Sequence, residues 1–494
     1  MSVPDNYPVI VSVAAVENRS GDAEPVAMMV SASQQVLASV GHVLDSAVDT
    51  VSVVRGIWPY VDPGTLVAQR LPGTVAPTTA ITPIGGNAVY DLVAHTAEAI
   101  ANGEQRAAII CGAETMRTRR KDKAAGRRSQ YLSETDSAEP GLVIGKDVPL
   151  SDEFDTAAGL HYPVNFYALV ESRIRHRRRE SNNAHLERIA ALWAAGSEVA
   201  SSNPHAWIRE PVSAQMIATA SETNRPIAAP YTKLLTSNID VDQGAALLMS
   251  SYGRAKAAGI ADADMVFVLA GASAHDELTI RKRERLDESP AMRAVGRAAL
   301  SAAGLTMKKI DHLDLYSCFP AAVQLATQAL GLPEERPFTI TGGMTFAGGP
   351  LNGYGTQAIA RAAELLRATS KTALLTGNGG YFTKHSALVL SGSAPRTGFA
   401  FAHPQGVVDR EPTRPLASGE LSDSGTIEAY TVPFGRDGEP RTAIVSVIDP
   451  RGRRHWALAD AAVDIERLVH AEKSIGTPVS LGVSDKFDVP RVTF

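Results

Sequence analysis

The feature that most constrains this 494-residue chain is a pattern of elements that occurs twice along it. In each copy, an apolar helix that begins at a proline, Pro25 or Pro290, leads to an apolar strand. A Gly-Gly pair at 85–86 or 348–349 then precedes a second helix and a second apolar strand. Strands that are apolar on both faces are typical of a sheet covered by helices. The pattern therefore predicts a duplicated α/β unit with mixed sheets, packed half against half; a chance likeness between α/β elements is the alternative.

The segments outside the repeat differ from it in composition. Residues 115–239 contain basic runs and two helical stretches, which predicts an inserted loop domain, and the first half resumes at Asp242. Near the C-terminus, two strand-like runs flank Asp437-Gly438, a good hairpin turn because these residues tolerate positive φ. A small OB-like β-barrel is the prediction for this region, with a three-stranded meander as the alternative. The predicted domains are a first half at 1–114 plus 240–275, a loop domain at 115–239, a second half at 285–390, a linker at 391–424 and an OB-like domain at 425–494.

Charge and cysteine content exclude several classes of protein. A formal net charge of −5 provides no basic field for nucleic acid. Two cysteines, Cys111 and Cys318, are too few for a disulfide framework, and we expect no metal site. The N-terminus lacks the features of a secretory signal, and no apolar stretch of about 18 residues is present. We therefore expect a cytoplasmic protein with no membrane span and no nucleic-acid partner.

Five short segments, taken in order, resemble those of thiolases, including the sterol-carrier-protein type. The segments are Cys111-Gly112-Ala113-Glu114-Thr115-Met116, Asp242-Gln243-Gly244-Ala245-Ala246, Leu315-Tyr316-Ser317-Cys318-Phe319, Gly349-Pro350-Leu351-Asn352-Gly353-Tyr354-Gly355 and Thr376-Gly377-Asn378-Gly379-Gly380. The resemblance implies a five-layered αβαβα core and an acyltransferase-related protein of lipid metabolism. It also implies that a coenzyme A (CoA) thioester is the substrate or ligand, with no other bound cofactor. With its added C-terminal domain, the chain is similar to thiolase-like proteins of the acetyl-CoA acetyltransferase type.

The residues that a thiolase needs for catalysis are missing from the matching positions. The resemblance places the nucleophilic cysteine at Gly86, the activating histidine at Gly349 and the second cysteine at Thr376. Glycine has no side chain to carry an acyl group, and a threonine hydroxyl is too weak an acid to replace a thiol. We therefore do not expect ordinary thiolase activity.

Four other residues lie in the segments that the family brings to its active-site floor: Tyr316, Cys318, Asn378 and His385. Tyr316 could polarise a carbonyl, Cys318 could be a relocated nucleophile and His385 could be a general base. A packed tyrosine, a buried thiol and a hydrogen-bonded structural histidine are the alternatives. Related aldolases of this type use tyrosines, often with an OB-fold partner. The sequence therefore favours altered C–C bond chemistry on CoA thioesters; the alternative is a non-catalytic protein that binds a CoA ester or a partner protein.

The resemblance also implies where CoA would bind. The expected contacts are Arg119, Arg120, Ser273, Gly348 and Gly377. Guanidinium groups suit the phosphates of CoA, but for the second basic run, 173–179, a solvated helix face is the alternative. Nucleic acid is a weaker third option for these basic runs. A homodimer is possible, and so is a monomer, since the added domain could block the usual dimer face.

Overall fold

The computed structural model describes residues 3–74, 77–149, 151–416, 422–470, 472–484 and 488–494. The first half of the chain alternates strands with helices. Its elements are β1 (Pro8–Glu17), α1 (Pro25–Ser39), β2 (Val48–Val53), α2 (Pro63–Ala68), β3 (Thr78–Ile81), α3 (Ala88–Ala101) and β4 (Ala107–Thr115). As the sequence predicts, α1 begins at Pro25, whose fixed φ suits the first helical position, and Glu24 caps the helix through its side chain.

The loop domain follows β4 and consists mainly of helices. Its elements are α4 (Met116–Ala124), β5 (Leu142–Val143), α5 (Glu153–Ala157), α6 (Pro163–Arg178), α7 (Asn182–Ser201), α8 (Ala214–Ala218), β6 (Pro226–Ala228) and β7 (Tyr231–Thr232). The chain then returns to the core through β8 (Asp242–Ser251) and α9 (Tyr252–Ala257). β8 lies antiparallel between β1 and β4, where its small residues permit close packing.

The second half repeats the order of the first. Its elements are β9 (Val266–His275), α10 (Pro290–Ala302), β10 (His312–Asp314), α11 (Pro320–Leu330), α12 (Gly343–Phe346), α13 (Tyr354–Leu366), β11 (Thr372–Gly379) and β12 (Lys384–Ser391). Like α1, α10 begins at a proline and has a side-chain cap, here from Ser289. The strands of both halves are joined in one ladder with the order β10-β11-β12-β9-β1-β8-β4-β2-β3-β5.

Helices divide this core into five layers, as the sequence predicts. α3, from the first half, packs against β9 and β12 of the second half, and α13 packs against β1 and β8 of the first. These two helices form the buried central layer. α1 and α10 cover the outer faces of the two halves. The molecule therefore has the duplicated αβαβα architecture expected from the sequence.

One boundary differs from the sequence prediction, which placed 240–275 in the first half. β9 pairs with β12 along its length and with β1 through only two residues, Val9 with Phe267 and Ile10 with Val266. The pairing assigns β9 to the second half, as the counterpart of β1. The strand that pairs with β9 along its length, β12, is far along the chain, so the local sequence around β9 did not reveal this assignment.

The segment predicted as a linker, 391–424, contributes to the core. β13 (Ala400–Ala402) pairs in parallel with β9, and α14 (Gln405–Val408) follows it. Residues 417–421 of this segment lie outside the described residues. The predicted linker is therefore partly an extension of the second-half sheet.

The C-terminal domain is a closed five-stranded barrel. Its elements are β14 (Ser424–Thr431), β15 (Ala443–Ile448), β16 (Arg454–Ala459), α15 (Ala462–His470), β17 (Pro478–Gly482) and β18 (Arg491–Thr493). The strand order β14-β15-β16-β18-β17 closes through pairing of β14 with β17, and Gly438 has the positive φ predicted for the β14–β15 hairpin. These features agree with the predicted OB-like domain and not with a three-stranded meander.

The basic run on α6 holds domains together. Arg173 and Arg177 both pair with Asp287, whose side chain is fully buried. Arg175 donates to the hydroxyl of Tyr430 in the barrel at 3.0 Å. These arginines are therefore neither a solvated helix face nor free for phosphate. No helix among the described residues is long and apolar enough to cross a bilayer.

Candidate functional site

The candidate site lies where the first turn of α3 meets the ends of β10 and β11. Gly86 precedes α3, Tyr316 follows β10, and Asn378 lies near the end of β11. β10 and β11 are parallel neighbours, so their carboxyl ends meet at one edge, and the backbone N–H of Tyr316 donates to the hydroxyl of Thr376 at 3.3 Å. The structure thus brings Gly86, Tyr316, Thr376 and Asn378 together, as the sequence predicts.

The space beside Gly86, where the resemblance places a nucleophilic side chain, is filled. A Cβ built on Gly86 would overlap the hydroxyl end of Tyr316 and would lie 2.6 Å from the backbone oxygen of Asn378. The ring of Tyr316 is held edge-on against Tyr354, with ring centroids 5.8 Å apart. Tyr354 in turn donates to the buried carboxylate of Asp314 at 2.9 Å. Gly86 therefore packs directly against the side chain of Tyr316.

The phenol of Tyr316 remains protonated near neutral pH. Burial, together with the nearby Cys318, raises the pKa of Tyr316 well above its ordinary value. Among the described residues, no group accepts a hydrogen bond from this hydroxyl. Tyr316 therefore places an uncommitted hydrogen-bond donor where the sequence resemblance predicts the nucleophile of a thiolase.

Cys318 is close to Tyr316 and carries the nearest thiol. Asn378 donates to its sulfur through Nδ2 at 3.8 Å, and the amide oxygen of Asn378 accepts from Tyr167 at 3.0 Å. Burial raises the pKa of Cys318 to about 12, although hydrogen bonds from Tyr167 and Asn378 lower it. Because the thiolate is the reactive form, Cys318 in this environment is an inert, buried thiol.

His385 lies in a separate buried network. Its Nε2 is 3.3 Å from the carboxylate of Asp276 and 3.2 Å from the hydroxyl of Ser289. Burial raises the pKa of Asp276, but the hydrogen bond from His385 and the charges of His385 and Arg283 outweigh it, so the pKa is lowered overall. His385 therefore contacts the start of α10; its role as a general base stays a prediction.

The remaining glycines of the motifs permit close packing by larger neighbours. A Cβ on Gly377 would overlap the ring of Tyr90, and one on Gly348 would overlap the side chain of Gln243. Gly349 lies against Asn238, whose carbonyl accepts from its N–H at 2.9 Å. These positions are compact, and the expected contacts of Gly348 and Gly377 with CoA stay predictions.

Each of the other expected CoA contacts has a partner within the protein. Arg119 donates to the carbonyl of Ile57, and Arg120, which is exposed, pairs with Asp240 at 3.0 Å. Ser273 hydrogen-bonds to Asp91 between β9 and α3. Of these groups, Arg120 is the most accessible to a phosphate.

Replacing Gly86 with alanine should destabilise the protein, because the added methyl group would overlap Tyr316 and crowd a backbone oxygen. We expect the free energy of unfolding to fall by about 1–3 kcal/mol, the usual cost of overpacking a core. Chemical denaturation of the variant measures this loss. Gly398→Ala is the matched control, since nothing lies within 4 Å of the added Cβ. A loss no larger than that of the control would contradict the packing described above.

Two residues of this region were missed by the sequence analysis. Tyr167, on α6, lies 3.0 Å from Asn378 and accepts from the N–H of Phe382 at 3.0 Å. Lys384, the first residue of β12, donates to the carbonyl of Ile84 at 2.9 Å. Nothing in the local sequence pattern of α6 indicated a role for Tyr167. The position of Lys384 close to the Gly-Gly turn at 379–380 was a signal that could have identified it.

Comparison with known proteins agrees with this architecture. Residues 404–485 match the family model of the thiolase-like protein type 1 additional C-terminal domain. A monomeric SCP2-thiolase-like protein type 1 from Mycobacterium smegmatis has 27% identity and a TM-score of 0.85, with 100% of each chain covered. Comparison with curated proteins finds no match.

Two further solved structures share the fold of the core. The Ltp2–ChsH2(DUF35) aldolase has 20% identity and a TM-score of 0.60, over 79% of this chain and 98% of that one. The dimeric peroxisomal thiolase of Saccharomyces cerevisiae has 13% identity and a TM-score of 0.57, over 79% of this chain and 98% of that one.

Proposed function

Because the chain is a thiolase-like protein with an additional C-terminal domain, we propose that it binds a CoA thioester without forming the acyl-enzyme of a thiolase. The observation that supports this proposal most directly is the packing of Tyr316 into the space beside Gly86. Without a side chain at residue 86 the cysteine nucleophile of a thiolase is absent, and the thiol of Cys318 is held neutral by its raised pKa. Because no acyl-enzyme forms, the second step of a thiolase reaction, which transfers the acyl group from that intermediate, cannot occur.

The same tyrosine supports the binding part of the proposal. A protonated phenol with no described acceptor can donate a hydrogen bond to the carbonyl oxygen of a thioester. About 9% of Tyr316 is exposed, so the ligand would contact this side chain at the small part of its surface that remains accessible. In this proposal, Arg119 and Arg120 on α4 contact the phosphates of CoA, since guanidinium groups suit them geometrically.

A second candidate is cleavage or formation of a C–C bond with Tyr316 as the acid or base. It is favoured by the free phenol and by the fold shared with a protein described as an aldolase. A base must lose its proton, however, and burial holds the pKa of Tyr316 far above neutral. Binding without turnover is therefore the better-supported function.

The test combines turnover and binding. With acetoacetyl-CoA and CoA, we expect no thiolysis above the uncatalysed rate, and with 3-hydroxyacyl-CoA no cleavage. Calorimetry should detect binding of acetyl-CoA, and Tyr316→Phe should weaken it by about 0.5–1.5 kcal/mol, the net value of one hydrogen bond. Binding of free CoA, which has no carbonyl at that place, is the matched control and should be unchanged.

Each part of the proposal fails on a different result. Steady thiolysis by the wild-type protein would show that an acyl-enzyme of the thiolase type does form. Retro-aldol cleavage that is lost in Tyr316→Phe would establish the second candidate. Absence of heat with millimolar acetyl-CoA and with CoA would overturn the binding role and favour a protein-interaction function.

A further inference from the structure

Lys384 is a half-buried amine beside Gly85, the residue that precedes the position of the absent nucleophile. It is the first residue of β12 and pairs across the sheet with Gly379. Its Nζ lies 3.2 Å from where a Cβ of Gly85 would stand, and its Cε lies 3.1 Å from the corresponding point of Gly379. The absence of side chains at these glycines lets the lysine lie along the loop that carries Gly86.

The groups around Lys384 stabilise the charged, ammonium form of its side chain only weakly. Its nearest acceptor is a backbone carbonyl, that of Ile84, at 2.9 Å. None of the described carboxylates lies within ion-pairing distance, unlike Lys282, which pairs with Glu277 at 3.0 Å. Burial lowers the pKa of Lys384, although the more distant charges of Asp147 and Asp91 raise it. A larger fraction of this amine is therefore unprotonated than of an ordinary surface lysine.

The exposure of the surrounding residues allows an acyl group to reach the amine. Ile84, whose carbonyl binds Nζ, has 49% of its surface exposed, and Lys384 itself is partly accessible. One hydrogen of the neutral amine would donate to that carbonyl, which would leave the nitrogen lone pair directed away from it. Amines in such surroundings are effective nucleophiles.

We propose that Lys384 accepts the acyl group of a CoA thioester bound at this site and becomes an N-acyl-lysine. In this step Nζ attacks the thioester carbonyl carbon, an N–C bond forms and the C–S bond breaks. CoA leaves as the thiolate and takes up the proton that the nitrogen loses. The products are an amide and free CoA, and no oxidant or reductant is needed. The inference rests on the proposed binding of a CoA thioester.

Peptide mass spectrometry of the full-length protein after incubation with acetyl-CoA tests the proposal. We expect acetylation of Lys384 to exceed that of Lys282 by about tenfold or more, because burial leaves a larger fraction of the Lys384 amine unprotonated. Excess free CoA should slow this acetylation, because it competes for the same site. Lys384→Arg should remove the fast adduct, and Lys282→Arg is the matched control; unfolding midpoints verify that both variants fold.

The outcomes separate this proposal from the function on which it rests. If calorimetry shows binding of acetyl-CoA but Lys384 is acetylated no faster than Lys282, the acceptor role is wrong and the binding role stands. If excess CoA does not slow acetylation by acetyl-CoA and calorimetry shows no heat, both proposals are wrong.

Discussion

Replacing Arg454 with methionine should lower the free energy of unfolding by about 3–5 kcal/mol, the cost of breaking a buried ion pair. Arg454, on β16, is fully buried and binds both carboxylate oxygens of Glu428 at 2.7 Å. It also donates to backbone carbonyls of the second half, including that of Arg281 at 3.2 Å. The variant would leave a buried carboxylate and several carbonyls without this donor, so the attachment of the barrel to the core should be weakened.

Chemical denaturation followed by circular dichroism measures this effect. Arg441→Met is the control on the same barrel, because Arg441 pairs with Asp437 and both side chains are mostly exposed. It should change stability little. A similar small effect for Arg454→Met would show that the barrel is not anchored through this residue.

Replacing Glu114 with glutamine should change the pH dependence of stability. Glu114 lies at the end of β4, where one oxygen accepts from the N–H of Ile57 at 2.6 Å and the other has no described partner. Burial raises the pKa of Glu114 from 4.5 to about 7, although the bond from Ile57 and the charge of Arg119 lower it. The folded state therefore binds more protons than the unfolded state between these two values.

This difference in protonation determines the direction in which stability changes with pH. The contribution of protonated Glu114 is fully present below pH 4.5 and is lost as the pH rises through about 7. As the pH rises from 4.5 to about 7, the free energy of unfolding of Glu114→Gln should increase relative to that of wild type by on the order of 3 kcal/mol. Denaturation at a series of pH values measures the gain, and Glu335→Gln, at an exposed carboxylate, is the control for the charge removed. A parallel pH profile for wild type and Glu114→Gln would contradict the burial argument.

The fold was largely predictable from sequence because its main features are local. Proline starts α1 and α10, and apolar strands follow each of them, so the duplication could be predicted from the sequence alone. The assignment of β9 was not, since its main partner, β12, is far along the chain. The role of the basic run on α6 was missed for the same reason, because Asp287 lies in the second half and α6 in the loop domain.

The site was predictable in position but not in packing. Motif order located Gly86, Gly349 and Thr376, and it brought Tyr316 to the same edge of the sheet. Whether a missing side chain leaves an empty pocket depends on contacts between distant segments, which motif spacing does not contain. Here the hydroxyl of Tyr316 occupies the place, and Tyr90 does the same at Gly377.

The central claim, that Tyr316 fills the place of the nucleophile, is tested most directly by a double-mutant cycle of Gly86→Ala and Tyr316→Ala. The cycle measures the free energies of unfolding of the wild type, both single variants and the double variant. We predict that the cost of Gly86→Ala falls by about 1 kcal/mol or more when Tyr316 is already alanine, because the overlapping hydroxyl is gone. The backbone oxygen of Asn378 remains, so part of the cost should persist. An equal cost of Gly86→Ala in both backgrounds would contradict the claim.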